Sequence, residues 1–535
     1  MTRDLARLAS TRFDVVVIGG GIHGLFAAYD AATRGLSVAL VDRGDFGGGI
    51  SFNHQRTLHG GLRALQTGHV RKCREQINER RAWARIAPHL IRPLPFLIGT
   101  YRATKRSRLA VRAGFKAYDL IGRGRNQQVL PELHLPNGRL ESAAATRRLF
   151  PGIAETRLSG GAIWYDYQTI HPDRLTWCVA MAAAAQGAVL CNYVEATELL
   201  RDGPGVTGVS ARDTVTGETL VVGATHVLLA AGSGLPALHA SFGLGPAPPL
   251  VRAMNLLLDR PARDIALAAS TPSGRMYTAV PWQGRVLVGT HQADHTAPAG
   301  GDPVTPQAID AFLADVNAAF PALAVTPADI RFVHHALVPA VERQGRVDLM
   351  PESQVLTHAT VAGVVSLVGV KYTTARLAAE RAVDALGLAR STGRTGTTLL
   401  PHADVADSDG LLVETLRTLG RTLDRDVMQH LASWYGTEGV HVVAASADGD
   451  GLERVSPTTP VICGEIVYAA RHSAAVRLAD LVFRRTPLAS AGHPGAAALE
   501  RAAALAAGVF GWSAERVQDE VARVEARLST AAGTR

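Results

Sequence analysis

An apolar run that stops at clustered glycines, Phe13-Asp-Val-Val-Val-Ile-Gly-Gly-Gly-Ile-His-Gly24, is followed by a helix-like stretch and a second apolar run, Leu36-Ser-Val-Ala-Leu-Val-Asp42. Strand, glycine turn, helix, strand and terminal acid, in that order, predict a dinucleotide-binding unit. Gly19 permits the tight turn out of the strand, and beyond Gly20 the backbone at Gly21 can approach a pyrophosphate. Gly24 lets the helix pack closely on the sheet. Amides at the start of the helix then face the phosphates, where unpaired donors and the helix dipole favour negative charge. Asp42 ends the second strand, where a carboxylate accepts from ribose hydroxyls. The competing reading is a glycine turn with no ligand; the two strands and the acid weigh against it. His23, inside the turn, reads as a solvent-facing or helix-start residue.

Composition narrows the setting. A chain of 535 residues can bury a large core and form two or three domains. The formal charge of +8 arises from 55 basic and 47 acidic residues, and only 19% of the chain is charged, which does not point to a nucleic-acid binder. Cys73, Cys178, Cys191 and Cys463 are scattered without a paired spacing, so neither a disulfide framework nor a metal site is expected. The first twelve residues are polar and basic, and no apolar run reaches the roughly 18–20 residues that span a bilayer. The expectation is a cytoplasmic protein, free or bound to a membrane surface. From Arg102 to Arg125 the chain carries Arg102, Lys105, Arg106, Arg108, Arg112, Lys116, Arg123 and Arg125 against the single acid Asp119, with Leu109, Phe115, Tyr118 and Ile121 interleaved. Such a helix suits an anionic membrane surface, and equally an ordinary solvated face.

The nucleotide unit is not contiguous. Val221 to Gly232 reads as a hairpin strand leading into a strand that ends at a small-residue turn. Arg174 to Gly187 reads as a helix and Ala188 to Val194 as a parallel strand. A third apolar strand, Val361 to Gly369, runs straight into Lys371-Tyr-Thr-Thr374 and an alanine-rich helix. Between these pieces, Asn255–Asp259, Met276–Val280 and Arg285–Gly289 are short β-like runs. Arg390 to Gly410 reads as a linker. Leu411–Tyr435, Glu465–Arg485 and Ala496–Leu528 repeat apolar residues at helical spacing.

Gly19-Gly-Gly-Ile-His-Gly24, Thr57-Leu-His-Gly-Gly-Leu-Arg63, Val368-Gly-Val-Lys-Tyr-Thr-Thr374 and the tail segment Glu465-Ile-Val-Tyr-Ala-Ala-Arg471 through Arg484-Arg-Thr486 together resemble the FAD-dependent glycerol-3-phosphate dehydrogenases. The likeness covers nearly the whole chain. It implies an α/β fold: a discontinuous Rossmann-like FAD-binding domain, a β-rich substrate domain and an all-α C-terminal domain. The expected flavin segments are 1–100, 151–235 and 346–395. A basic, membrane-surface segment falls at 101–150, the substrate domain at 236–345 and the helical domain at 396–535.

The resemblance implies hydride transfer from a small polar alcohol to FAD, with a membrane quinone as acceptor and a homodimer left open. Gly19, Gly20, Gly21, His23, Gly24, Asp42, Arg43 and Ser51 would hold the cofactor. Val194, Ala231 and Gly232 would join them, with Gly369, Lys371, Tyr372 and Thr373 from the last segment. Lys371 would stabilise the reduced ring, His59 would take the hydroxyl proton, and Arg63 would bind an anionic substrate group together with Arg252 and Asn255. For Lys371 a surface helix-start lysine is the plainer alternative, and for His59 a loop-fixing histidine.

Departures from the family pattern bear on the substrate. Ala64 stands where the family carries tyrosine. Ala336-Leu-Val-Pro339 puts Val338 at a family arginine, Met350-Pro-Glu-Ser353 removes a second, and Arg252-Ala-Met-Asn255 replaces a histidine with Asn255. Two lost arginines would weaken phosphate binding by about 1.5–3 kcal/mol each. Arg63, Arg252 and Lys371 could still bind one anion, which keeps glycerol 3-phosphate in place, with an uncharged polyol, a hydroxy acid or an unusual phosphorylated alcohol as its rivals. An oxidase of the amino-acid oxidase superfamily and a flavin-binding partner without turnover are the other readings.

Overall fold

A computed structural model describes residues 1–102, 107–298, 301–388, 391–404 and 408–532. The chain forms two compact units, one from Met1–Phe52, His171–Leu250 and Leu337–Leu528, the other from Asn53–Ile170, Val251–Ala336 and Ser529–Arg535.

In the first unit the strand Phe13–Ile18 lies between two parallel neighbours, Val38–Asp42 on one side and Thr219–Leu229 on the other. Val189–Asn192 extends the sheet parallel beyond Val38–Asp42, and Val364–Val368 extends it parallel beyond Thr219–Leu229. Val15, Val16 and Val17 are fully buried, as expected for a parallel strand covered on both faces. Helices Ile22–Thr33, Pro172–Ala185 and Ala375–Asp384 pack together, and the small side chains of Ala27, Ala28, Ala31 and Ala32 let their axes approach. The hairpin strand and the strand after it, expected over Val221 to Gly232, form one continuous strand, Thr219–Leu229. That strand pairs antiparallel with Gly205–Asp213 over its first half and parallel with Phe13–Ile18 over its second.

The C-terminal helices belong to this same unit as far as Leu528. Leu411–Tyr435 divides into Ser408–Thr418 and Arg425–Tyr435, and further on the chain forms Cys463–His472, Ala496–Phe510 and Ala514–Ala532. Buried ion pairs explain the attachment. Arg484 Nε and Arg485 Nη2 reach the two oxygens of Asp45 at 2.5 and 2.7 Å, and Arg484 Nη2 also meets Asp480 Oδ1 at 2.7 Å. Burial pushes the Asp45 carboxyl up, but the two guanidinium groups overcome it and hold the acid ionised. Removing one member of such a set leaves an uncompensated buried charge, worth about 3–5 kcal/mol.

The second unit is built on an antiparallel pair of long strands, Ile91–Tyr101 and Leu158–Thr169, in register from Ile91↔Thr169 to Tyr101↔Leu158 with one bulge. The sheet continues through Ala266–Ser270, Met276–Trp282, Arg285–Gln292 and Leu250–Pro261. Phe312 and Val316 of the helix Pro306–Ala319 are buried in the core that covers it. The basic helix Arg108–Ile121 is part of this unit; Lys105 and Arg106 of the basic stretch lie outside the described residues, as do Arg390 and residues 405–407 of the linker. Among the described residues no helix is long and apolar enough to cross a membrane.

Candidate active site

In the first unit the glycine turn has the shape that the phosphate reading requires. A Cβ on Gly24 would sit 1.8 Å from the Gly19 carbonyl oxygen, and one on Gly19, at φ +113°, would sit 2.5 Å from the Ala230 carbonyl oxygen. Gly21 instead faces space, its nearest neighbour being Ser51 Oγ at 3.4 Å. The Ile22 amide at the helix start donates to Ser51 Oγ at 2.9 Å, so an oxygen already occupies the place an anion favours. Asp42 accepts from the amides of Gly20 and Gly44 at 2.6 and 2.8 Å, and burial raises its pKa above the ordinary carboxylate value. Ala231 and Gly232 follow the neighbouring strand, and the Ala231 Cα stands 2.8 Å from where a Gly19 Cβ would be.

His23 is the second residue of the helix Ile22–Thr33, as the helix-start reading has it, but its ring is partly buried instead of turned to water. Its ring packs on Gly369, where an added Cβ would lie 2.5 Å from Nδ1, and its Nε2 is enclosed without a hydrogen-bond partner. Burial lowers its pKa to about 4. The folded value lies below the ordinary 6.5, so this histidine adds no penalty above pH 6.5 and weakens the fold as pH falls from there toward 4. On the order of 2 kcal/mol is involved. Denaturant midpoints at pH 7.5 and pH 5 should therefore separate more in the natural chain than in His23→Asn; equal separations would contradict the assignment.

The remaining cofactor candidates divide by side-chain direction. Tyr372 turns inward, its hydroxyl 2.9 Å from Thr176 Oγ1, so only its backbone can face a cofactor. Val194 is wholly buried in the core and pairs with Asp213 in the sheet. Arg43 is exposed, Thr373 is buried, and Lys371 stands immediately before the short turn Tyr372–Thr374 that leads into the helix Ala375–Asp384. The Gly turn, Asp42, Ser51 and the Ala231 and Gly369 turns thus fit a bound dinucleotide.

In the second unit Thr57–Leu58 pairs with Tyr167–Gln168 and delivers His59 to Asp166. His59 Nδ1 lies 3.2 Å from Asp166 Oδ2, and the Gly60 amide donates to Asp166 Oδ1 at 2.7 Å. Trp164 Nε1 donates to the same carboxylate at 3.3 Å, and the buried Arg80 pairs with it while also donating to the Tyr165 carbonyl at 2.9 Å. Burial would raise the Asp166 pKa, but the hydrogen bond from His59 and the Arg80 charge hold it below the usual range. The glycines after His59 make this crowding possible. A Cβ on Gly60 would meet Arg80 Nη1 and Tyr118 Oη at 2.2 Å, and Gly61 adopts φ +81° to start the short helix Leu62–Gln66. That helix carries Arg63, which is exposed and makes no ion pair among the described residues.

Two expected substrate residues are committed elsewhere. Arg252 Nη1 pairs with Asp302 Oδ1 at 2.8 Å, which neutralises it as an anion hook. The Asn255 amide nitrogen donates to the Asn53 carbonyl at 3.1 Å, in the loop before His59, and its oxygen accepts from Thr290 Oγ1 of the strand Arg285–Gln292 at 2.8 Å, so both ends of the side chain are occupied. Met350 is a core residue, 3% exposed. Ala64 packs beside Cys73, Ile77 and Tyr118.

A three-segment parallel sheet with a glycine turn at a helix start and an acid at the end of the next strand is the framework of a dinucleotide-dependent oxidoreductase. The family of FAD-dependent oxidoreductases matches residues 14–385, and the C-terminal domain of alpha-glycerophosphate oxidase matches residues 367–517. A glycerol-3-phosphate dehydrogenase of Synechocystis is 30% identical, over 91% of this chain and 91% of its own. Glycerol-3-phosphate dehydrogenase 2 of Mycobacterium tuberculosis is 33% identical over 98% of this chain and 89% of its own. The fold is shared with the solved glycerol-3-phosphate dehydrogenase from Bacillus halodurans complexed with FAD, at 24% identity and a TM-score of 0.76, covering 98% of this chain and 96% of that one. The chain belongs to the FAD-dependent glycerol-3-phosphate dehydrogenase family.

Asp166, Arg80 and Arg56 escaped the sequence reading. Asp166 interrupts the aromatic strand segment Trp164-Tyr-Asp-Tyr167, and an acid at a buried position of a strand is the signal that could have found it. Arg56 is fully buried, stacks on Trp282 at 4.7 Å and donates to the His54 carbonyl at 3.2 Å, fixing the loop that leads to His59.

Proposed function

We propose that the protein oxidises sn-glycerol 3-phosphate to dihydroxyacetone phosphate and passes the electrons to a membrane quinone. The observation that carries the chemistry is the His59–Asp166 pair. Because Asp166 is held ionised, His59 Nδ1 carries the proton that faces it and Nε2 presents a lone pair. His59 Nε2 takes the proton of the substrate hydroxyl as the carbon bearing it loses a hydride, so the alcohol becomes a ketone. Bound FAD supplies the two-electron acceptor for that hydride. Asp166 stabilises the imidazolium that results. Arg63 offers the substrate phosphate a planar fork of donors. An oxygen-using oxidase and a partner without turnover are not favoured, since the relatives at 30–33% identity are dehydrogenases.

Quinone use calls for a cytoplasmic protein held at a membrane face. On the helix Arg108–Ile121, Leu109 is 79% and Leu120 57% exposed, and with Arg112 and Lys116 they fall on one side at helical spacing. Apolar and cationic groups mixed in this way suit an anionic lipid surface. Anaerobic addition of glycerol 3-phosphate should bleach the oxidised flavin band, a short-chain quinone should restore it, and the protein should sediment with anionic but not neutral vesicles. Bleaching by glycerol or a hydroxy acid alone would move the substrate assignment, and equal partition between the two vesicle types would remove the membrane from it.

A further inference from the structure

A groove of about 540 Å³ opens in the first unit, and none of its lining residues belongs to the glycine turn or to the His59 loop. Four arginines from separate parts of the chain converge on it: Arg3 near the N-terminus, Arg471 and Arg477 at either side of the bend after the helix Cys463–His472, and Arg516 in the last helix. No acid lines it. Two carboxylates stand behind, each 1% exposed. Asp213 holds Arg3 at 2.9 Å. Glu520 Oε1 is shared by Arg477 at 3.2 Å and Arg516 at 2.7 Å, while its other oxygen takes the Leu478 amide at 2.9 Å. Arg471 is exposed and makes no ion pair among the described residues. Four guanidinium groups against two carboxylates leave a surplus of two positive charges at one place.

The acids orient this cluster without neutralising it. One carboxylate oxygen bridging two guanidinium groups leaves donors of both directed elsewhere, because each guanidinium carries five N–H groups. Such planar forks match phosphate oxygens better than any other side chain does. The groove also has a ring-bearing wall. Phe510 and Trp512 follow one another around the helix end at Gly511, with ring centroids 5.1 Å apart, and both are half-buried. Aromatic faces beside cationic forks accept a planar body joined to a phosphate. The volume falls in the range of small-ligand sites, roughly 300–1,000 Å³.

We propose that this groove is a second ligand site, distinct from the FAD and substrate sites, which binds an organic phosphate carrying at least two negative charges and a planar ring, of the nucleoside-diphosphate class. Arg471 and Arg516 grip the phosphates and the Phe510–Trp512 wall receives the ring.

The test uses the FAD-loaded protein, with calorimetric titration of ADP, inorganic pyrophosphate and adenosine. ADP should bind at one site per chain with a dissociation constant below about 1 mM, without release of flavin. Pyrophosphate should bind more weakly and adenosine not measurably. Arg471→Glu, at an exposed side chain whose loss leaves no buried partner, should weaken ADP about tenfold or more. Trp512→Leu should abolish the advantage of ADP over pyrophosphate, with flavin content and dehydrogenase turnover unchanged in both variants. No saturable ADP binding, or binding indifferent to both substitutions, overturns the proposal. Equal affinity for pyrophosphate and ADP overturns its ring-recognising part. Attachment to anionic vesicles that Arg471→Glu abolishes, with no ADP binding, would reassign the groove to lipid.

Discussion

Replacement of Gly24 by alanine is expected to give a protein that no longer retains FAD. The added Cβ would lie 1.8 Å from the Gly19 carbonyl oxygen and 3.3 Å from Ala230 Cβ. The first of these is a clash with backbone, so no side-chain rotation relieves it. The helix Ile22–Thr33 must then move away from the turn, and the Ile22 amide leaves the place where it now meets Ser51 Oγ. Overpacking of this kind costs about 3 kcal/mol or more when neither side can yield. Gly508 is the matched control: it lies in the helix Ala496–Phe510 with nothing within 4 Å of an added Cβ, and alanine there should be neutral or stabilising by up to about 1 kcal/mol. Flavin-to-protein absorbance ratios and thermal midpoints read both variants. A Gly24→Ala protein that purifies with the natural flavin content would overturn this account of the turn.

The second large effect belongs to Asp166. Asp166→Asn keeps the shape of the side chain and an oxygen to accept the Gly60 amide, but removes the charge that fixes the His59 tautomer and balances Arg80. Turnover should fall by about 10²–10⁴, the range for losing an oriented general base. His59→Asn should fall by a similar factor. The double variant should be little worse than either single one, because the two residues act as a unit. Purely structural damage would lower flavin content and stability along with turnover. Loss of the Arg80 counter-charge lowers stability in Asp166→Asn by about 3–5 kcal/mol, so the specific effect is read in His59→Asn, which keeps the Asp166–Arg80 pair and should hold flavin content and stability near normal while turnover falls. Turnover within about threefold of the natural chain in Asp166→Asn would sink the assignment of His59 as base.

The parts of the molecule legible from the chain are those whose causes are local. The Phe13–Ile18 strand, the glycine turn and Asp42 lie within thirty consecutive positions, and each demand, a tight turn, a close helix and an acid at a strand end, is met by a residue type in that short span. The Gly60-Gly61 turn into the short helix Leu62–Gln66 is legible for the same reason. Periodicity also gave the helical tail its helices, although not their attachment.

What escaped was pairing across distance in the chain. Arg252 and Asn255 look like ligand groups until Asp302, Asn53 and Thr290 claim them, at separations of 50, 202 and 35 residues. Asp45 meets Arg484 across 439 residues, which joins the tail to the nucleotide unit. Asp166 reaches His59 across 107. A buried charge needs a partner wherever the chain can bring one, and residue type and spacing carry no record of which one arrives. The amino-acid order thus settled dinucleotide binding through local backbone geometry, and the choice of flavin came from the resemblance to the family. Only folding decided which charges remain available to a substrate, because burial and long-range pairing neutralise some and leave others, such as Arg63, facing water.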